Sequence, residues 1–315
     1  MTKRSARTQY RIGQVAILVA AVAWSSAGVV QRQLETDAAT QVAGRAFFAA
    51  IGLLVLVLAL ERSRTPAAFR TMGRWGWTMT AVLAVSSGTF LLALNHTSVA
   101  NVLFMQAAAP MMAALLGWAL LSELVGLRTW LAMGLAGVGV IVMIGGSLAT
   151  GWLAVGLPFV MTASFAGVIV IARYRRKISM LPATCASQVL LVLVALPFAT
   201  LSLEPSDWAF LALLGVGQIG LGLALLTYGA RLIPPAEVAV ISLLEVVLGV
   251  LWVWLAYSER PGLATLVGGA VILAAILIQA TADYRPRVSE TGGRRVVAAS
   301  PAVRRSEHQR TPGRQ

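Results

Sequence analysis

A carboxylate lies near the middle of a long apolar segment. The stretch AEVAVISLLEVVLGVLWVWLAY, from Ala236 to Tyr257, carries only two charged residues, Glu237 near its start and Glu245 close to its centre. A charge at the centre of a lipid bilayer costs about 2.5–3.5 kcal/mol on insertion scales. Glu245 is too far from both ends to reach an interface. It could therefore bind a cationic group of a substrate, exchange a proton, or fix helix packing through a hydrogen bond.

A second charge, Arg45, lies shortly after the start of another apolar run. Its long side chain could extend back to the outer interface. Alternatively, it could face the protein interior, where it would pair with Glu245 or bind a substrate carboxylate through two hydrogen bonds. If Arg45 and Glu245 faced one cavity, the two charges would suit a zwitterion such as an amino acid.

The remaining polar groups within apolar runs are uncharged. Such groups more often hydrogen-bond between helices than contact a ligand. Gln106 and Gln218 lie deepest, and Trp24 could either stack on a substrate or pack in the core. The candidates for substrate binding or coupling are Glu245, Arg45, Trp24, Gln106, Gln218, Tyr228 and Asn101.

Acidic residues also occur at the ends of apolar runs. Glu237 follows the triplet IPP, so it lies in a first helical turn, where the helix dipole favours a carboxylate. Glu123 and Glu259 end two similar segments, and each could cap the next helix, pair with Arg128 or Arg260, or act as a gate. A proline inside an apolar run favours a kink. The gate or structural candidates are Glu123, Glu259, Pro110 and Glu237.

The apolar runs that carry these residues are typical of the spans of a helical membrane protein. The 315-residue chain is 58% hydrophobic and 12% charged, with a mean hydropathy of +0.80. Apolar runs of about twenty residues recur, which is the length that crosses a bilayer as a helix, and they lack the alternation of barrel strands. We predict an all-α membrane protein with ten transmembrane helices, near 12–31, 40–60, 76–94, 98–121, 129–147, 152–172, 183–203, 208–230, 236–257 and 262–281.

The distribution of basic residues predicts the orientation. With a cytoplasmic N-terminus, 22 of the 25 lysines and arginines fall on the inside, whereas Arg32 and Arg260 fall outside and Arg45 lies within a span. This bias follows the positive-inside rule. We therefore expect both termini in the cytoplasm and the protein in the cytoplasmic (inner) membrane. The net charge of +13 then reflects topology and does not indicate a nucleic-acid partner.

The sequence contains an internal repeat. Residues 101–123 align without gaps on residues 237–259, and WSSAGVV at 24–30 aligns more weakly with ASFAGVI at 163–169. Because each half would hold five spans, an odd number, the halves should be inverted in the membrane. We predict a cytoplasmic segment 1–11, a first five-helix repeat 12–147, a second 152–281, and a basic, disordered cytoplasmic tail 282–315.

These features resemble EamA-type members of the drug/metabolite transporter superfamily. The likeness covers roughly residues 12–281 and is carried by WSSAGVV (24–30), Arg45, the segment Pro110 to Glu123, LLE (243–245) and SER…GG (258–269). Val246 stands where the family usually has a proline after the glutamate, which puts a kink there in doubt. The resemblance implies a ten-helix bundle with a central cavity that carries small metabolites, such as amino acids, often outward.

We therefore expect a secondary transporter that exports an amino acid or related compound by alternating access. The alternative is a non-transporting membrane sensor or assembly protein on the same fold. The sequence lacks the H-E-x-x-H and G-x-x-x-x-G-K-[ST] motifs and has one cysteine, Cys185, so we expect no enzyme, cofactor or metal. The expected partners are a small-molecule substrate with proton coupling as an option, the lipid bilayer, and a second copy in a homodimer through spans five or ten.

Overall fold

The computed structural model describes residues 3–62, 65–122, 126–147, 151–174, 180–230, 232–233 and 235–283. Within these ranges every regular element is helical and no strand occurs. The all-α prediction is therefore confirmed for the described part of the chain. Glu123 and the tail from residue 284 onward lie outside it.

In the first half, the helices follow the predicted spans, and two spans are interrupted. The first span breaks at Ser26 and the fourth at Ala108. In chain order, the helices are Lys3–Ser25 and Ala27–Gln31 (span one), Ala38–Glu61 (span two), the short Thr65–Arg70, Gly73–His96 (span three), Val99–Ala107 and Ala109–Leu121 (span four), and Leu127–Ser147 (span five).

In the second half, the eighth span departs from regular α-helix. Its central part is π-helical, whereas the sixth and ninth spans are continuous α-helices. The helices are Trp152–Tyr174 (span six), Met180–Ala195 with the 3₁₀ turn Leu196–Phe198 (span seven), Pro205–Ala212, π-helical Leu213–Leu221 and Gly222–Gly229 (span eight), Pro235–Tyr257 (span nine) and Leu263–Asp283 (span ten).

Most of these helices could cross a membrane. In the described ranges, nine helical stretches are long and apolar enough to do so. The tenth predicted span corresponds to a shorter apolar stretch, Leu263–Gln279. The protein is thus a multi-pass helical chain.

Equivalent spans of the two halves make equivalent contacts, with spans one to five corresponding to spans six to ten. Span one packs on spans eight and nine, and span six packs in the corresponding way on spans three and four. Span two packs on span seven, and span five on span ten. The repeat seen in the sequence is therefore also a repeat in space, with most of the packing formed between the halves.

Spans four and nine match most closely. Val99–Leu121 and Pro235–Tyr257 each cover 23 residues and occupy aligned positions. Each is followed by a serine in the left-handed conformation, Ser122 and Ser258, both with φ of 53°. Because a positive φ is uncommon outside glycine, its occurrence at both aligned serines indicates that the two helices end by the same local geometry.

The two matched spans differ in continuity. Span four is interrupted at Ala108, and Pro110 lies in the first turn of its second part. Proline has no N–H to donate to the preceding turn, so it is tolerated at the start of a helix and disrupts the interior. Span nine has Val246 at the aligned position and continues without a break.

Glycines allow spans five and ten to pack with their backbones close together. A Cβ added at Gly139 would lie 2.6 Å from the carbonyl oxygen of Gly268 and 2.8 Å from Cγ1 of Ile272. A Cβ added at Gly268 would likewise overlap the carbonyl oxygen of Gly139. Small residues permit this approach, which strengthens packing inside a membrane. These two spans therefore pack on each other within one chain.

We expect Gly139→Ala to lower the thermal unfolding temperature of the purified protein, at a cost of about 1–3 kcal/mol for overpacking. Gly134→Ala is the matched control, because a Cβ added at Gly134 on the same helix meets no atom within 4 Å. Equal melting temperatures for the two variants would show that the Gly139–Gly268 approach is not a tight contact.

Candidate functional site

The polar residues inside the spans meet where the two halves contact each other. One group, here called the arginine cluster, consists of Trp24, Arg45, Phe90 and Gln218. Its residues come from spans one, two and three of the first half and from span eight of the second half. The cluster thus joins four helices across the contact between the halves.

Arg45 lies inside the protein, and its side chain does not extend to the protein surface. Its side chain is buried, with 6% of the residue exposed. Nη2 donates a hydrogen bond of 3.3 Å to Oε1 of Gln218, and the guanidinium lies 5.3 Å from the centre of the Phe90 ring. Nε has no hydrogen-bond partner among the described residues. The immediate partners of this cation are therefore an amide and an aromatic face.

Gln218 and Trp24 hold each other in place. The indole Nε1 of Trp24 donates to the backbone oxygen of Gln218 at 2.7 Å. In return, Nε2 of Gln218 donates to the backbone oxygen of Trp24 at 3.4 Å. The Gln218 side chain therefore connects the end of the first helix to Arg45.

The π-helical part of span eight brings its backbone close to this cluster. A Cβ at Gly215 would lie 2.7 Å from the carbonyl oxygen of Arg45, and one at Gly222 would overlap the indole of Trp24. Both glycines therefore make room for the cluster. π-Helical turns are rare and occur frequently at functional sites. In the sequence, this feature is marked by four glycines that interrupt the apolar run of span eight, Gly215, Gly217, Gly220 and Gly222.

A second contact between the halves, here called the glutamate pair, consists of Gln106 and Glu245. Nε2 of Gln106 donates to Oε1 of Glu245 at 3.4 Å. Both residues are partly buried, and Gln106 lies just before the interruption of span four at Ala108. Among the described residues Arg45 and Glu245 form no ion pair with each other, so the arginine cluster and the glutamate pair are separate groups.

Trp252 joins the first and ninth spans near these groups. Its Nε1 donates to Oγ of Ser25 at 3.1 Å, next to Trp24 in the chain. Neither Trp252 nor Phe90 was singled out from the sequence. An aromatic residue in an apolar run gives no signal that distinguishes a site from ordinary packing.

Glu259 joins the ends of spans one, four and nine. Its Oε2 accepts from Nη2 of Arg32 at 3.1 Å, and its Oε1 accepts from the backbone N–H of Val99 at 2.9 Å. Glu259 therefore caps span four of the opposite half and pairs with Arg32. Arg260, the neighbouring cation considered from the sequence, is exposed.

Asp37 makes another link between the halves, at the start of span two. Its carboxylate accepts from Oγ1 of Thr200 at 2.5 Å and from the backbone N–H of Thr40 at 2.9 Å. Burial acts to raise the pKa of Asp37, but the hydrogen bonds from Thr200 and Thr40 outweigh it and hold the pKa below its usual range. The carboxylate therefore stays ionised at neutral pH and serves as a stable cap of span two.

The remaining candidates lie away from these groups. Glu237 accepts from the hydroxyl of Tyr10 at 2.5 Å, which joins the first turn of span nine to the start of span one. Asn101 is buried and donates to the carbonyl oxygen of Ala154 at 3.2 Å, a contact between spans four and six. Tyr228 is 55% exposed. Glu123 lies outside the described residues.

The helices and polar contacts define a multi-pass membrane protein built from two repeats. Residues 11–145 and residues 152–281 each match the model of the EamA-like transporter family. The chain therefore belongs to the EamA-like transporter family, which is a family of membrane transporters of the drug/metabolite type and not of enzymes.

A solved structure has the same fold. A crystal structure described only as that of a protein aligns with a TM-score of 0.58 and 16% sequence identity, covering 85% of this chain and 96% of its own. At this identity the likeness concerns the fold alone. A comparison with curated proteins finds no match.

We expect Glu259→Ala to destabilise the protein more than Glu259→Gln. Alanine removes the cap of Val99, at a cost of about 1 kcal/mol, together with a partly exposed ion pair that contributes about 0–1 kcal/mol. Glutamine keeps an acceptor for the Val99 N–H. Thermal unfolding of the purified variants measures the difference.

The partner of Glu259 can be tested in the same assay. Arg32→Gln should lower the melting temperature, whereas Arg260→Gln should leave it unchanged because Arg260 is exposed. The reverse order would assign the ion pair to Arg260 and contradict the arrangement described above.

Proposed function

We propose that the protein is a secondary transporter that exports a small metabolite, an amino acid or related compound, across the cytoplasmic membrane. It works by alternating access of ten transmembrane helices arranged as two inverted five-helix repeats. Both termini lie in the cytoplasm, in agreement with the distribution of lysine and arginine.

The observation that carries this proposal is the position of the buried polar groups. Gln106 and Arg45 belong to the first half, and their partners Glu245 and Gln218 belong to the second. When one half moves against the other, each of these contacts must break or change partner. Buried polar groups that depend on the relative position of two repeats are what an alternating-access site requires.

The crossing number of ten is supported by helix length. Leu263–Asp283 has 21 residues, which at 1.5 Å per residue gives about 31 Å, enough for the hydrocarbon core. With this helix counted, each half holds five spans. An odd number in each half places the repeats in opposite orientations.

Glu245 is the residue we assign to coupling. Its hydrogen bond to Gln106 is long, at 3.4 Å, and its donor is a neutral amide. Such a bond is weak and easily exchanged. The carboxylate is therefore available either to a proton or to the amino group of a substrate. Fixed packing alone would favour a shorter bond with a cationic donor.

We expect purified protein in liposomes to move labelled amino acids and to move them faster when a pH gradient is imposed. Glu245→Gln should abolish the acceleration by the gradient, because the amide has nearly the same shape but cannot carry a proton. Glu35→Gln is the matched control, since the same chemical change falls on an exposed residue.

The alternatives give different results in this assay. Saturable binding without flux would indicate the sensor or assembly role, and a chemically altered product would indicate an enzyme. Undiminished gradient-driven flux in Glu245→Gln would remove proton exchange at that residue from the proposal.

A further inference from the structure

We propose that Arg45 is an oxyanion-binding group, and that its ligand is the carboxylate of the transported metabolite. The site is the arginine cluster of Trp24, Arg45, Phe90 and Gln218. The inference rests on the proposed function, because it assigns a chemical class to that substrate, and it concerns residues other than the glutamate pair.

Arg45 carries a positive charge inside the protein. A guanidinium stays protonated at any physiological pH, and burial of a cation is costly unless an anion compensates it. Arg45 is 6% exposed, and the partners described for it are the neutral side chains of Gln218 and Phe90. In the described ranges, the ion pair present joins Arg32 to Glu259 and leaves Arg45 without an acidic partner.

The N–H donors of Arg45 have the geometry that a carboxylate needs. Nε and Nη2 lie on the same edge of a guanidinium, and this edge matches the two oxygens of a carboxylate. In Arg45, Nε is buried and has no partner among the described residues. Nη2 has only the long bond of 3.3 Å to Gln218. A carboxylate can therefore bind both donors by displacing one weak contact.

The residues around this edge of the guanidinium also suit a bound carboxylate. The Phe90 ring lies 5.3 Å from the guanidinium and stabilises the cation without competing for its N–H groups. The Gln218 side chain carries amide donors as well as an acceptor, so after displacement it can turn and donate to the bound carboxylate. The indole of Trp24, held by the backbone of Gln218, adds an aromatic surface beside the site.

The location connects binding to the motion of the halves. Arg45 and Phe90 belong to the first half and Gln218 to the second. A carboxylate held by Arg45 and Gln218 together would favour the state in which the halves are close. Binding at this cluster would thus select one state of the transport cycle.

The test uses matched ligands that differ only in charged groups. Full-length protein is placed in phosphatidylcholine nanodiscs, and thermal unfolding is measured with leucine, leucinamide, 4-methylpentanoate and 3-methylbutylamine, and with the corresponding phenylalanine series. We expect the carboxylate-containing compounds to raise the melting temperature in a dose-dependent manner, because ligand binding to the folded state stabilises it. The amides and amines should not.

Two variants assign the effect to Arg45. Arg45→Gln should weaken the apparent affinity for the carboxylates at least about tenfold, whereas Arg128→Gln, which removes an exposed arginine, should leave it unchanged. Gln218→Glu supplies an internal carboxylate to Arg45 and should abolish carboxylate binding while preserving or raising stability. If Arg45→Gln does not fold, Gln218→Glu still tests whether carboxylates bind at Arg45.

A lipid phosphate could satisfy the same donors, and a further arm separates the two sources. If phosphatidylglycerol stabilises the wild type but not Arg45→Gln, and the carboxylates have no effect, the ligand is a lipid headgroup and the proposal is wrong. It is also wrong if amides and amines stabilise as well as acids, or if Gln218→Glu retains carboxylate binding.

The inference and the proposed function fail in different ways. Flux confined to amines, with no response to carboxylates, would overturn the assignment of Arg45 and leave transport intact. Carboxylate-dependent stabilisation that is lost in Gln218→Glu, without flux of any labelled compound, would support the anion site and overturn transport.

Discussion

Polar groups inside a bilayer have no water to bind, so each must find its partner within the protein. Helices satisfy the backbone of this chain, but they leave the side chains of Arg45, Gln106, Gln218 and Glu245 to be satisfied by contacts between helices. The structure meets much of this requirement by joining residues from opposite halves, and it leaves Nε of Arg45 without a hydrogen-bond partner among the described residues. The consequence is that the relative position of the two repeats depends on a few weak polar contacts as well as on apolar packing.

Close approach of helix backbones is the second part of this arrangement. Gly139 and Gly268 let spans five and ten touch, while Gly215 and Gly222 make room for span two and for Trp24. The first pair lies in regular helix and serves packing. The second pair flanks Gln218 within and beside a π-helical segment, where the altered hydrogen-bond pattern accompanies a buried cation. The same residue type therefore has different roles in the two places.

Hydropathy, the positions of lysine and arginine, and the internal alignment were enough to predict the helical class and the repeat. These sequence features do not predict which side of a helix faces the protein interior, and so they do not predict the partners of a polar side chain. Arg45 could have extended to the interface or turned inward, and only packing decides between these. Glu259 bonds to Arg32 and Val99, far away in the sequence, although Arg260 is its neighbour. Aromatic partners such as Phe90 cannot be told from core residues by type.

The two repeats are related but not equivalent, and the differences fall at the polar positions. Glu259 accepts from the N–H of Val99 at the start of span four. The position aligned with Val99, at the start of span nine, is Pro235, which has no N–H to donate. Span nine carries Glu245 and stays continuous, whereas span four carries Pro110 and breaks beside Gln106. The fold thus places one carboxylate and one helix break on opposite sides of the same contact. In the alternating-access cycle that we propose, this asymmetry would give the two states different energies.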